Sequence, residues 1–214
     1  MTRVILIRHG QTAWNRVERI RGQADISLDE FGLAQAEATA LQVVDQWKPT
    51  AVYCSPLTRA LQTAQPIVRL LGLQAIPVAG FIDMNFGQWQ GLSYSEVEQR
   101  WPDAARAWLE APQTVVFPGG ESLAQVQERT MATLHELIQR HLNSEIAIVA
   151  HTVVNRVVLC AVLGLDNSNH WRLGQDTCAI NVLTWRAGTY SLELLNDTCH
   201  LRRNNPSAPS AGRG

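Results

Sequence analysis

The chain has 214 residues, 46% of them hydrophobic and 17% charged, the balance of a globular enzyme with a substantial core. Its 18 basic and 19 acidic residues leave a formal net charge of −1 with no Lys/Arg run, so nucleic acid is not an expected partner. No apolar run reaches the ~18 residues of a membrane span, and the N-terminal apolar stretch is too short for a signal-peptide core; a cytoplasmic location is expected.

Val4–Ile7 is a short continuous apolar run, the pattern of a strand buried on both faces of a parallel sheet. Asp29 to Trp47 reads as a helix with Leu33, Ala36, Ala40, Leu41 and Val44 at helical spacing. Ala51–Cys54 is a second buried strand, stopped by Ser55-Pro56, and the helix from about Leu57 to Leu71 ends at Gly72. Ala75–Ala79 reads as a third strand. Residues 80–120 differ in character: they hold Trp89, Trp101 and Trp108, several Gly and Pro, and a short helix opened by Ser93 with Glu96 at capping-box spacing. This stretch reads as an inserted cap.

A second capping box, Ser122 with Gln125, opens a helix to about His141. Ile146–Ala150 is another buried strand, followed by His151 and a helix ending near Gly164. Val182–Trp185 and Tyr190–Leu195, around Ala187-Gly188-Thr189, form a terminal hairpin. Asn204–Gly214 reads as a disordered tail. The fold class expected is α/β, a mostly parallel sheet flanked by helices on both faces, in a single domain over residues 1–203 with its cap insert at about 80–120. Cys54, Cys160, Cys178 and Cys199 are scattered without a C-x-x-C pair, which suggests neither a disulfide framework nor a metal site.

Three strands release a cationic or imidazole side chain just past their C-terminal ends: Arg8 and His9 after the first, Arg59 through the turn after the second, His151 after Ile146–Ala150. Ligands of open α/β sheets bind in the crevice at that end. If the strands are neighbours, these four groups converge, and the set suits a dianionic phosphate. Guanidiniums bind its oxygens with charge-assisted bonds, and an imidazole is left to attack phosphorus.

Arg8-His9-Gly10-Gln11-Thr12 with Trp14-Asn15 closely resembles the first motif of the histidine phosphatase, or phosphoglycerate-mutase-like, superfamily. Ser55-Pro56-Leu57-Thr58-Arg59-Ala60, Phe86-Gly87-Gln88-Trp89-Gln90-Gly91, Gly119-Gly120-Glu121-Ser122 and Ala150-His151 resemble its later motifs, in family order over about residues 3–165. The resemblance implies roles. His9 would be the nucleophile that becomes phosphohistidine, with Arg8, Arg59 and His151 as catalytic phosphoryl-binding groups. The substrate-binding set would be Arg8, Asn15, Arg21, Gly22, Arg59, His151, Thr152 and His200. With the positive charge supplied by these side chains, neither metal nor cofactor is expected; the partner is a small phosphomonoester, with neither nucleic acid nor membrane involved, and a homodimer is left open.

Two departures from the family pattern stand out. The proton donor, usually Glu, is Asp83, read as the catalytic acid; its competing reading is a solvated loop carboxylate. Further similarity, from His151-Thr152-Val153 to Asn196-Asp197-Thr198-Cys199-His200-Leu201, points to the metal-independent bacterial phosphoserine phosphatases, but the His of that subgroup near the third motif is Phe86 here. Three alternatives stay open: another sugar or nucleotide monophosphate as substrate, a phosphoglycerate mutase, and a non-catalytic sensor of phosphorylated ligands.

Overall fold

The computed structural model describes residues 1–17 and 19–203, so the tail expected at Asn204–Gly214 lies outside the described residues. The strands are β1 (Thr2–Arg8), β2 (Ala51–Cys54), β3 (Ala75–Pro77), β4 (Glu145–Ala150), β5 (Ile180–Arg186) and β6 (Thr189–Asp197). The helices are α1 (Ala13–Arg16), α2 (Glu30–Gln46), α3 (Thr58–Leu71), α4 (Tyr94–Arg100), α5 (Pro102–Glu110), α6 (Leu123–Arg140), α7 (Thr152–Val162) and α8 (Cys199–Arg203). One mixed sheet runs β3-β2-β4-β1-β5-β6, parallel from β3 to β1 and antiparallel in its last two pairings. The α/β class with helices on both faces is what the sequence pattern anticipated.

Successive strand residues point to opposite faces, and the core divides accordingly. Val4, Leu6, Tyr53, Ile146 and Ile148 join one cluster with Leu134 and Ile138 of α6 and Val154 and Val158 of α7. Ile5, Ile7, Val52, Cys54, Ala147 and Val149 join the other, against Ala40 and Val43 of α2 and Ala60, Ala64 and Ile67 of α3. Continuous apolar runs were the signature of such double burial.

Helix starts follow their caps. Ser93 with Glu96 and Ser122 with Gln125 both form capping boxes, and Asp29 caps α2 by accepting from Gly32 N at 2.8 Å. The inward stripe of α2 differs from the one expected. It runs through Gly32, Ala36, Thr39, Ala40 and Val43, while Leu33 and Leu41 are exposed. Small residues win because this helix approaches its neighbours closely: a Cβ on Gly32 would stand 2.0 Å from the Gln11 carbonyl oxygen. β3 ends at Pro77, two residues early, because Ala79–Phe81 turns into a 3-10 helix. The β5–β6 hairpin closes through Ala187 and Gly188, both at positive φ (49° and 87°), the two-residue turn that matches strand twist.

Between β3 and α6 the chain builds α4, α5 and three short 3-10 turns around an aromatic cluster. The Phe117 ring lies 4.9 Å from Phe86, 4.7 Å from Trp89 and 5.2 Å from Trp108. Phe86 is buried in this cluster.

Candidate active site

β2, β4 and β1 are adjacent and parallel, so their C-terminal ends coincide. Arg8 pairs in register with Ala150, and His9 N donates to the Ala150 carbonyl at 3.0 Å. This brings the His9 and His151 rings to 5.1 Å between centroids. Arg59, on the first turn of α3, donates Nε–H to His151 Nδ1 at 3.3 Å. Arg8, His9, Arg59 and His151 are thus gathered at one sheet edge, as the strand order required.

Hydrogen bonds fix both imidazole tautomers. His9 Nδ1 lies 2.7 Å from the Gly10 carbonyl oxygen, which can only accept, so the proton sits on Nδ1 and the Nε2 lone pair is open. His151 Nδ1 accepts from Arg59, so its proton is on Nε2, a buried atom with no partner among the described residues. Both rings are nearly inaccessible, and burial, followed for each by the charge of Arg59, holds them well below the usual imidazole pKa. His9 presents a neutral imidazole with an open lone pair, and His151 a neutral N–H donor at the N-cap of α7, where backbone N–H groups favour an anion.

Asp83 belongs to this cluster. It is 6% exposed, which excludes the solvated loop carboxylate; Oδ2 accepts from Arg59 Nη2 at 3.0 Å and Oδ1 from Met84 N at 2.9 Å. Burial raises its pKa, against the pull of Arg59 and Arg21. Arg59 is spent on four acceptors: His151, the Ala24 carbonyl at 2.8 Å, the Gly22 carbonyl at 2.7 Å, and Asp83. A guanidinium has five N–H donors, so one remains for a ligand unless the Asp83 bond is exchanged.

The remaining expected residues divide. Arg8 donates Nη1–H to the Gln175 carbonyl and leaves Nε buried without a partner; burial, then Arg21 and Arg156, lower its pKa to about 9, still cationic at neutral pH. Arg21 Nε is likewise buried and unpartnered, and its charge acts on His9, His151 and Asp83. Asn15 caps α1 through Oδ1, which accepts from Thr12 N and Oγ1, both at 2.9 Å. Gly22 enters through its carbonyl, at φ 51°, where a Cβ would meet Gln90 Oε1 at 2.3 Å. Thr152 begins α7 with its hydroxyl buried and unpartnered.

His200 corrects the expectation. It is 3% exposed and bonds Thr39 Oγ1 on α2 at 3.0 Å, with no contact to the four groups above. The terminal helix α8 packs on α2, so this imidazole fastens the C-terminal helix to the body of the protein.

The sequence reading missed Arg129. From α6 it donates to the carbonyls of Gly80 and Ile82, both at 2.9 Å, and of Asp83 at 3.2 Å, while Nε and Nη2 hold Glu121 at 2.8 and 3.1 Å. Glu121 in turn accepts from Asn85 N at 2.8 Å. This clamp grips the loop carrying Asp83 on both sides. Thr63 was also missed; it accepts from Gly10 N at 3.0 Å and donates to the Arg59 carbonyl at 2.7 Å within α3, tying the loop after β1 to the first turns of that helix.

The sequence and the fold both resemble known proteins. Phosphoserine phosphatase 1 of Hydrogenobacter thermophilus is 37% identical over 201 residues, 94% of this chain and 95% of that protein. A metal-independent phosphoserine phosphatase of Arabidopsis thaliana is 30% identical, over 94% and 84% of the two chains. A solved phosphoserine phosphatase variant from Entamoeba histolytica, in complex with phosphoserine, superposes with a TM-score of 0.84 at 28% identity, covering 94% of this chain and all of that one. A structure of the enzyme from that organism in complex with 3-phosphoglyceric acid superposes at 0.85, with 28% identity and the same coverage. The model of the histidine phosphatase superfamily, branch 1, matches residues 4–198, and the chain therefore belongs to that family.

Proposed function

We propose that this chain is a metal-independent phosphomonoesterase that hydrolyses a small phosphorylated metabolite, with L-phosphoserine the first candidate, through a phosphohistidine at His9. One observation carries the reading: Gly10 holds the His9 proton on Nδ1, leaving Nε2 free beside three cationic or donor groups. In the first step Nε2 attacks phosphorus, the P–O ester bond breaks, and protonated Asp83 delivers its proton to the departing oxygen. In the second, Asp83 takes a proton from water as the water oxygen attacks phosphorus, the P–N bond breaks, and phosphate leaves. Arg8, Arg59 and His151 hold the transferring group and offset the charge that accumulates on it, which is most of what phosphoryl transfer asks of a protein.

Phosphoserine is favoured over other monoesters by the relatives above. Phosphoserine and 3-phosphoglyceric acid are both three-carbon acids phosphorylated on the terminal carbon. Mutase chemistry lacks support, because a mutase must hold a second phosphate; cap residue Arg106 is instead paired with Asp103 at the surface. A single domain with residues 80–120 as its lid, a cytoplasmic location and a homodimeric state complete this proposal. Quenching turnover of labelled substrate without acid should trap label on the wild type and none on His9→Ala, with the wild-type rate unchanged by chelator. Retained turnover in His9→Ala would sink the mechanism.

A further inference from the structure

Arg156 is a partly buried guanidinium that forms no salt bridge among the described residues, and Asp176 acts on it only through its longer-range charge. It lies one turn after Thr152 on α7, and residues four apart share a helix face. Its Nε donates to the Leu173 carbonyl at 2.8 Å, and its guanidinium sits 4.8 Å over the Trp171 ring. Two residues further on, the Gln175 carbonyl accepts from Arg8, so one short segment holds both guanidiniums. The terminal nitrogens of Arg156 bond nothing among the described residues. Asp176, the nearest acidic residue in sequence to that segment, spends Oδ2 on Asn196 Nδ2 at 3.0 Å.

The neighbourhood carries further unspent polar atoms. The Thr152 hydroxyl is buried without a partner, as are both ring nitrogens of His170, which is 0% exposed. The His170 ring lies 5.0 Å from Trp171 and 5.4 Å from Trp108, and Trp171 Nε1 donates to the Trp108 carbonyl at 2.6 Å, tying this wall to the cap. Asp176 favours both charges from a distance but pairs directly with neither guanidinium among the described residues, so an arriving anion would find donors on Arg156 still unspent. Arg156 also depresses the pKa of Arg8, so the two cations feel each other's field.

We infer that Arg156, with the Thr152 hydroxyl, receives a second anionic group of the substrate, a carboxylate on the carbon next to the one bearing the phosphate ester. This rests on the phosphomonoesterase reading and narrows the substrate to short phosphorylated carboxylic acids. Arg8 and its neighbours take the phosphate at one end of such a molecule, and Arg156 takes the carboxylate at the other. A planar carboxylate suits the two free terminal nitrogens, which can bind it in bidentate fashion.

The test compares kcat/KM for phosphoserine, phosphoethanolamine (the same skeleton without the carboxylate) and p-nitrophenyl phosphate. Wild type should prefer phosphoserine to phosphoethanolamine by roughly 10–100-fold, the range of a charge-assisted bond. Arg156→Gln should collapse that ratio towards one, mainly through KM for phosphoserine, and Arg156→Lys should keep part of it. A wild-type ratio near one overturns the inference without any variant. So does an equal loss on all three substrates in an Arg156→Gln protein with an unchanged melting temperature. Wild-type protein inactive on all three would refute the phosphomonoesterase reading instead; the pocket is then judged by calorimetry, where equal affinity for phosphoserine and phosphoethanolamine overturns it.

Discussion

The floor of the site and the loop that carries Asp83 are built by different means. His9 and His151 stand at the ends of paired strands, fixed by main-chain bonds such as His9 N to Ala150 O, and the helix positioning Arg59 follows directly on β2. Asp83 stands on a loop after a 3-10 turn, and side chains hold it: Arg129 and Glu121 from outside, Arg59 from within. The lesson is about robustness. A side chain placed by sheet register tolerates most surface changes, whereas one placed by a clamp can be misplaced by one distant substitution.

The largest effect that sharpens this contrast is expected at Asp83 itself. Asp83→Asn should slow alkyl phosphates by about 10²–10⁴-fold and barely touch an aryl phosphate, whose leaving group departs without a proton. Burial raises the Asp83 pKa, and a general acid works only while protonated. The wild-type rate on alkyl substrates should therefore fall as pH rises through that raised pKa, and the fall should vanish in Asp83→Asn. Equal losses on alkyl and aryl substrates would mean that Asp83 orients Arg59 rather than donating a proton. Asp83→Glu tests reach, and activity should hold or rise if the longer side chain fits.

A smaller effect is expected from the clamp. Arg129→Leu releases the Gly80, Ile82 and Asp83 carbonyls together with Glu121. Alkyl-phosphate turnover should drop by about 10–100-fold through displacement of the acid, with aryl turnover nearly intact. The same substitution in an Asp83→Asn background should add little, because two residues acting through one function are not additive. Full additivity on alkyl substrates would break the comparison, making Arg129 a general stabiliser instead of a positioning residue.

A third expected effect leaves catalysis alone and reads the wall beside Arg156. Burial, and then Arg156, lower the His170 pKa to about 3 from its ordinary 6.5. Below pH 6.5 the unfolded chain takes up a proton that folded His170 refuses, so stability declines by about 1.4 kcal/mol per pH unit towards pH 3 from this group. His170→Phe should remove about that slope from chemical unfolding measured between pH 6 and 4. His9 and His151, lowered in the same sense, would keep part of the decline. An unchanged slope would mean that His170 is protonated in the folded protein.

What the sequence by itself determined was the type and order of the main elements and the cations at three strand ends. Continuous apolar runs placed β1, β2 and β4, capping residues placed the starts of α4 and α6, and cations just past strand ends marked Arg8, His9, Arg59 and His151 before any contact was known. Those features are short-range, so periodicity and neighbouring residues suffice to read them. Only the tertiary structure decided which side of α2 faces inward, because small residues packed where the larger Leu33 and Leu41 do not fit. It alone buried Asp83 against Arg59, sent His200 to Thr39, and set Arg129 against the Asp83 loop and Arg156 against the Leu173 carbonyl. Arginines are frequent on helices, and nothing in their spacing distinguishes a solvated one from one folded against a distant carbonyl. That difference is created when segments 17 to 161 residues apart are brought together, and the hydrogen bonds left unmade become visible only then.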